Sequence, residues 1–173
     1  IAGTCWGCMI LPVKVYGSCA GPCLEDGIRW SVDHGAKVLN ISLVQGVTCP
    51  PALQDAIDYA WNAGAVIVAA AGDDSMQVNA PADCDHVLAV GYTDPNDLIM
   101  PDSNFGAALD LVAPGKTIAV ANLGGGYAAG TGTSFAAPFV SGVAGLLFSQ
   151  GMMRDEVVAA LLGGVVDLGA PGW

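Results

Sequence analysis

Ser134 stands near the start of "GTGTSFAAPFVSGVAGLL" (130–147), a run of small and apolar residues whose spacing predicts a helix. Gly130 and Gly132 precede it, and glycine lets a backbone turn tightly and approach a ligand. A helix beginning here presents free N–H groups and a partial positive charge, which suit a developing oxyanion. Ser134 is therefore a candidate nucleophile. Spacing alone favours a second reading, a serine that caps a packed helix. A third, a phosphate-cradling loop suggested by "GGYAAGTGTS", fails because the stretch lacks the lysine such a loop needs.

A serine hydroxyl is a poor nucleophile unless a base takes its proton and an acid orients that base. The chain has two histidines. His34, in "VDHGAKV", falls at the C-terminus of a predicted helix, where a cation suits the dipole. His86, in "CDHVLAV", falls at a strand entry. The six cysteines offer a separate chemistry. Cys5-x2-Cys8 followed by Cys19-x3-Cys23 has zinc-ribbon spacing, whereas the even count, with Cys49 and Cys84, fits disulfides and an exported protein.

Sixteen acidic against five basic residues give a net charge of −11, a surface that repels phosphate backbones and argues against nucleic-acid binding. Hydrophobic residues make up 53% and charged residues 12%, which excludes disorder. No run of apolar residues is long enough for a membrane span. The 173 residues suit one domain. A chain beginning at Ile1, with neither initiator Met nor signal peptide, suggests a processed or excised product.

The elements that must position these residues alternate. Strands are predicted at 9–15, 37–44, 65–72 and 87–92, with "LDLVAPG" and "KTIAVA" filling 109–121. Helices are predicted at 23–36, with Leu24, Ile28, Trp30 and Val32 as the apolar stripe, and at 50–64, opened by prolines and closed by Gly64. Two more follow at 133–149 and 154–162. The continuous apolar run "AVIVAAAG" belongs to a strand covered on both faces. Strand and helix in alternation specify an α/β domain with a mostly parallel sheet between helices.

"GTSFAAPFVSGVAGLL" closely resembles the nucleophile motif of subtilisin-like serine peptidases, Gly-Thr-Ser-x-Ala-x-Pro-x-Val-x-Gly. "ILPVKVYG", "HGAKVLNISL", "AVIVAAAGDD", "APADCDHVLAVGYTD" and "LDLVAPG" resemble further blocks of that family in the same order, so the resemblance covers nearly the whole chain. It implies a three-layer subtilisin-like fold and a serine endopeptidase that forms an acyl-enzyme on Ser134. Asn40 would buttress the sheet. Ser42, Leu43 and Val44 would pair with an extended peptide, and Ala70, Ala71 and Gly72 would form the facing wall. Family members usually carry Gly where Val44 stands, which implies a narrowed pocket mouth.

Asp73 falls where the family typically places the oxyanion-hole Asn. A carboxylate only accepts hydrogen bonds, so Asp73 serves there only when protonated, and burial beside Asp74 is expected to favour that form. Acid-acting sedolisin relatives and one proprotein convertase use Asp in this role. The family's base and orienting acid lie in His-Gly-Thr-His and Asp-Thr-Gly blocks upstream of the stretch matched by 9–15. Neither block is in the chain, and the adjacent Asp33–His34 pair sits in the wrong one. "VVDLGAPGW" resembles the approach to a closing Gly-Tyr-Gly segment, which is also absent.

The expectation is thus a partial peptidase domain over 1–173, secreted, inactive alone, whose base and acid come from a missing N-terminal portion. Its partners would be a peptide or protein substrate and that missing segment or a second copy, with neither nucleic acid nor membrane. A two-chain enzyme and a non-catalytic scaffold of the same fold are the alternatives. The chemistry needs no cofactor. Structural calcium is common in the family, with Asp94, Asp97 and Asp110 as conceivable ligands against the plainer reading of solvated carboxylates.

Overall fold

The computed structural model describes residues 3–16 and 23–168. Four strands, β1 (Val38–Ile41), β2 (Val66–Ala70), β3 (Val87–Thr93) and β4 (Leu111–Pro114), lie side by side in chain order and all parallel. Side chains alternate across a strand, and here the alternation divides the core in two. Leu39, Ile41, Ile67, Ala69, Val87 and Ala89 pack with α1 (Cys23–Asp33) and α2 (Pro51–Asn62). Val66, Val68, Ala70, Leu88, Val90 and Tyr92 pack with α3 (Thr133–Ser149) and α4 (Arg154–Gly163). All five residues of β2 are buried, as a strand covered on both faces requires. The expected three-layer α/β arrangement is present.

The stretch expected through 121 yields β4 and then β5 (Ile118–Ala121), which forms an antiparallel hairpin with β6 (Tyr127–Gly130) that delivers the chain to α3. Its tip turns through Gly124, Gly125 and Gly126, all at positive φ. The strand expected at 37–44 shortens to four residues, and α1 stops at Asp33, with Gly35 at φ 88 ending the turn that follows. Trp30 does not join the buried stripe. It is 43% exposed and stacks on His34 at 3.8 Å.

Residues 9–15 correct a prediction. Their composition is that of a strand, yet they join no ladder, and Met9 and Ile10 are 98% and 86% exposed. Val15 instead packs so closely on Gly27 of α1 that a Cβ there would lie 2.4 Å from its Cγ1. Thr4 and Cys8 press likewise on Gly142 and Gly145 of α3. A strand needs another strand's N–H and C=O groups, and side-chain composition cannot supply them.

The cysteines settle as disulfides. Cys5 pairs with Cys8 and Cys49 with Cys84, Cα atoms 5.4 and 5.1 Å apart, and Cys23 is also disulfide-bonded. The zinc-ribbon reading is therefore overturned at Cys5, Cys8 and Cys23; Cys19 lies outside the described residues, as does the end of "VVDLGAPGW" from 169 onward. None of the described helices is long and apolar enough to cross a membrane.

Candidate active site

The parallel sheet sends the C-terminal ends of β1 and β2 to one side, where their following residues lie next to each other by register, Ile41 beside Ala69. Ser42, Leu43 and Val44 continue β1 without joining a regular strand, and Val44 is 43% exposed. Ala70 and Ala71 are committed to opposite core clusters, so their methyl groups face inward and the wall they form is largely backbone. The connection from β2 to β3 runs through residues 71–86 without a helix. Loops of that length inside a compact domain are usually functional.

Asn104 holds this loop in place. Only 1% exposed, it donates from Nδ2 toward Ala71 O, Gln77 O and Asn79 Oδ1, and its Oδ1 accepts from Asp74 N and Met76 N. Its own N–H donates to Gly72 O at 2.9 Å. Gly72 sits at φ +109, and a Cβ there would come within 2.3 Å of Asn104 Nδ2. Only glycine fits.

The pinned loop grips the start of α3. Gly72 N–H donates to Thr133 Oγ1 at 3.2 Å, and Thr133 N–H donates to Asp73 Oδ1 at 2.7 Å. Gly132, the N-cap, has φ 132 and no side chain of its own to bond these first amides, so Asp73 caps the helix from across the chain. Asp73 was expected to be buried; it is exposed, and its carboxyl faces the amide of Thr133. Ser134 follows, half-buried, at the second position of a helix of 17 residues. Its hydroxyl donates to Ser42 O at 3.4 Å, and Ser42 Oγ donates to Ser134 O at 3.0 Å. Ser134, Ser42–Val44, Ala70–Gly72 and Asp73 are therefore brought together.

The histidines are not brought with them. His34 precedes β1 and His86 immediately precedes β3, so both lie at the N-terminal ends of the strands, opposite Ser134. A four-residue strand alone spans about 13 Å. His34 Nδ1 meets Trp30 O at 2.8 Å. His86, at φ 68, pairs through Nδ1 with Asp58 Oδ1 at 3.1 Å and stacks on Trp61, whose ring also carries Arg154. Gln54 Nε2 bonds the same carboxylate, and that bond, then His86, holds Asp58 below the usual carboxylate range. Both histidines are structural.

The suggested calcium ligands do not converge. Asp94 accepts from Asn96 N and Leu98 N within its own turn, and Asp110 accepts from Ala89 N at 2.7 Å. Among the described residues, the one group of three metal-type ligands is Cys49, Asp83 and Cys84, and there the two sulfurs are bonded to each other while Asp83 Oδ2 accepts from Cys49 N.

A serine at the N-terminus of a long helix thus lies beside the carboxyl ends of two parallel strands of an α/β sheet. The chain belongs to the subtilase family, whose model matches residues 1–164. It is 42% identical over 165 residues to thermitase of Thermoactinomyces vulgaris, covering 93% of this chain and 59% of thermitase. To the extracellular basic protease of Dichelobacter nodosus it is 39% identical, covering 86% of this chain and 28% of that protein. Among solved structures, a protease of Pseudoalteromonas arctica superposes with a TM-score of 0.87 at 30% identity, over 97% of this chain and 59% of that one. The chain thus spans little more than half the length of thermitase.

Two features of the site escaped sequence reasoning. Asn104 carried no signal, because its six partners are contributed from residues 71–79 by folding. The bond from Ser42 to Ser134 O carried one, the proline at position 138, four residues after the nucleophile.

Proposed function

We propose that this chain is the nucleophile-bearing part of a secreted serine endopeptidase that cleaves extended peptides through an acyl-enzyme on Ser134. One observation carries the reading: Ser134 stands at the mouth of the β1–β2 cleft, at the N-terminus of α3, where its own N–H has no acceptor among the described residues. A first-turn amide left open beside a nucleophilic oxygen is what a tetrahedral oxyanion requires. Residues 42–44 offer backbone to an extended substrate, and Val44 narrows the entrance.

Asp73 is the side chain at the oxyanion site, and a carboxyl group donates there only when it carries a proton. Oδ1 is engaged by Thr133 N–H, which leaves the other carboxyl oxygen to face the oxyanion. The base and its orienting acid come from outside residues 1–173, which form a partial peptidase domain, so the chain by itself does not turn over substrate. Calcium, where bound, plays a structural part, and no cofactor enters the chemistry. Three disulfide-bonded regions and relatives named as extracellular proteases support secretion.

The placement of both histidines away from Ser134 favours a second reading, a subtilase-fold module without catalysis that only binds peptides. Labelling by a fluorophosphonate separates the two. The full-length gene product should be labelled, and Ser134→Ala should abolish labelling and peptide hydrolysis together. A full-length product that binds peptides but neither labels nor cleaves would establish the module instead.

A further inference from the structure

We propose that Ser42 is a positioning residue for the nucleophile, replacing the one helix hydrogen bond that Pro138 deletes. In an α-helix the carbonyl of residue i accepts from the N–H of residue i+4. Gly132 and Thr133 have such donors in Ala136 and Ala137, but the donor for Ser134 would be Pro138, which has none and whose ring crowds that carbonyl. The carbonyl of the nucleophile itself is therefore left without its helical partner. Ser42 Oγ fills the place, donating to Ser134 O at 3.0 Å across 92 residues of sequence.

Ser42 is held in turn. Asn40 Nδ2 donates to Ser42 Oγ at 3.0 Å, which occupies a lone pair and leaves the hydroxyl proton for Ser134 O. Asn40 Oδ1 accepts from Ser141 Oγ at 3.0 Å, two turns along α3. The donors run in one direction, from α3 through the edge of β1 and back to α3 at the nucleophile. Ser134 Oγ also donates to Ser42 O, so the two serines are joined twice. This arrangement fixes the backbone of Ser134, and with it the direction of its hydroxyl and its open N–H. A displacement of about 1 Å at such a point can cost on the order of 100-fold in rate.

The inference rests on the peptidase reading for its kinetic test and on the fold alone for its second measurement. In the full-length product, Ser42→Ala should lower kcat about fivefold, the worth of one ordinary hydrogen bond, with KM little changed. Ser42→Thr, which keeps the hydroxyl, should restore most of it. Pro138→Ala returns the missing N–H, so Ser42→Ala placed on Pro138→Ala should lose much less than on Pro138. An equal loss in both backgrounds, or a change in KM alone, overturns the proposal and leaves Ser42 as a cleft wall. Amide hydrogen exchange over residues 133–141 gives the same cycle without activity. Ser42→Ala should speed exchange there when Pro138 is present and not when it is Ala. Unchanged exchange overturns the proposal whether or not the protein cleaves peptides, whereas absent cleavage with the expected exchange overturns only the peptidase reading.

Discussion

At Asp73 one carboxyl group is asked to do two things. Accepting from Thr133 N–H, it caps α3 and suits the partial positive charge there. Stabilising an oxyanion requires it to donate, which an ionised carboxylate cannot do. An amide does both at once, with Oδ1 on Thr133 N–H and Nδ2 toward the substrate. On the proposed peptidase reading, Asp73→Asn in the full-length product should therefore raise kcat/KM at neutral pH, by up to about 100-fold, the scale on which loss of such a donor is known to act in a subtilisin. Matching kcat/KM values for the two forms would remove Asp73 from the oxyanion site. Gly72 is constrained more simply. At φ +109 with Asn104 Nδ2 pressed against it, Gly72→Ala adds backbone strain and a clash, and thermal unfolding should show a loss of about 2–3 kcal/mol.

At the scale of elements, the site depends on a loop that no helix supports, and the disulfides and polar knots around it replace that support. Cys49–Cys84 ties the entry of α2 to the end of the 71–86 connection across a sequence separation of 35. Closing a loop of that length stabilises by about 3–4 kcal/mol in the chain-entropy account, so Cys49→Ala with Cys84→Ala should lower thermal stability by an amount of that order. The Asp58–His86 pair, 44% and 45% exposed, joins α2 to the entry of β3 and contributes less, within about 1 kcal/mol. Its sign is set by the lowered folded value of Asp58, held down first by the Gln54 bond and then by His86. That stabilisation is fully present above the unfolded value of about 3.9 and is lost as pH falls through the lower folded one. Asp58→Asn should thus unfold earlier than the parent at pH values above the carboxylate range. The gap should close on acidification.

At the scale of the molecule, apolar surface and the outer edge of β1 stand open. The outer edge of β1 pairs with no strand among the described residues, and Trp6, Met9 and Ile10 are each more than 80% exposed. Unpaired backbone beside exposed side chains is a template for association. The isolated chain should therefore self-associate, and sedimentation at rising concentration reads this directly. A monomer with no binding of hydrophobic dye would contradict it. The same 173-residue chain should show no burst of acylation, since neither histidine lies on the Ser134 side of the sheet.

The division of labour between sequence and fold follows the range of the forces involved. Local patterns determined α2, α3 and α4 almost to their ends, because prolines, glycines and apolar spacing act within a turn or two. The buried character of β2 was legible in "VIVAA" for the same reason, and the specific run around Ser134 marked the start of α3 as the candidate site. Residues 9–15 look like a strand and are not one, since pairing is a property of two segments and only one is at hand. The disulfide partners, the outward turn of Asp73, the knot at Asn104 and the bond from Ser42 to Ser134 were likewise settled by the fold. Apart from Cys5–Cys8, three residues apart, each joins groups distant in sequence, and a hydrogen bond or a disulfide exists only where the chain brings both partners within about 3 Å or a bond length.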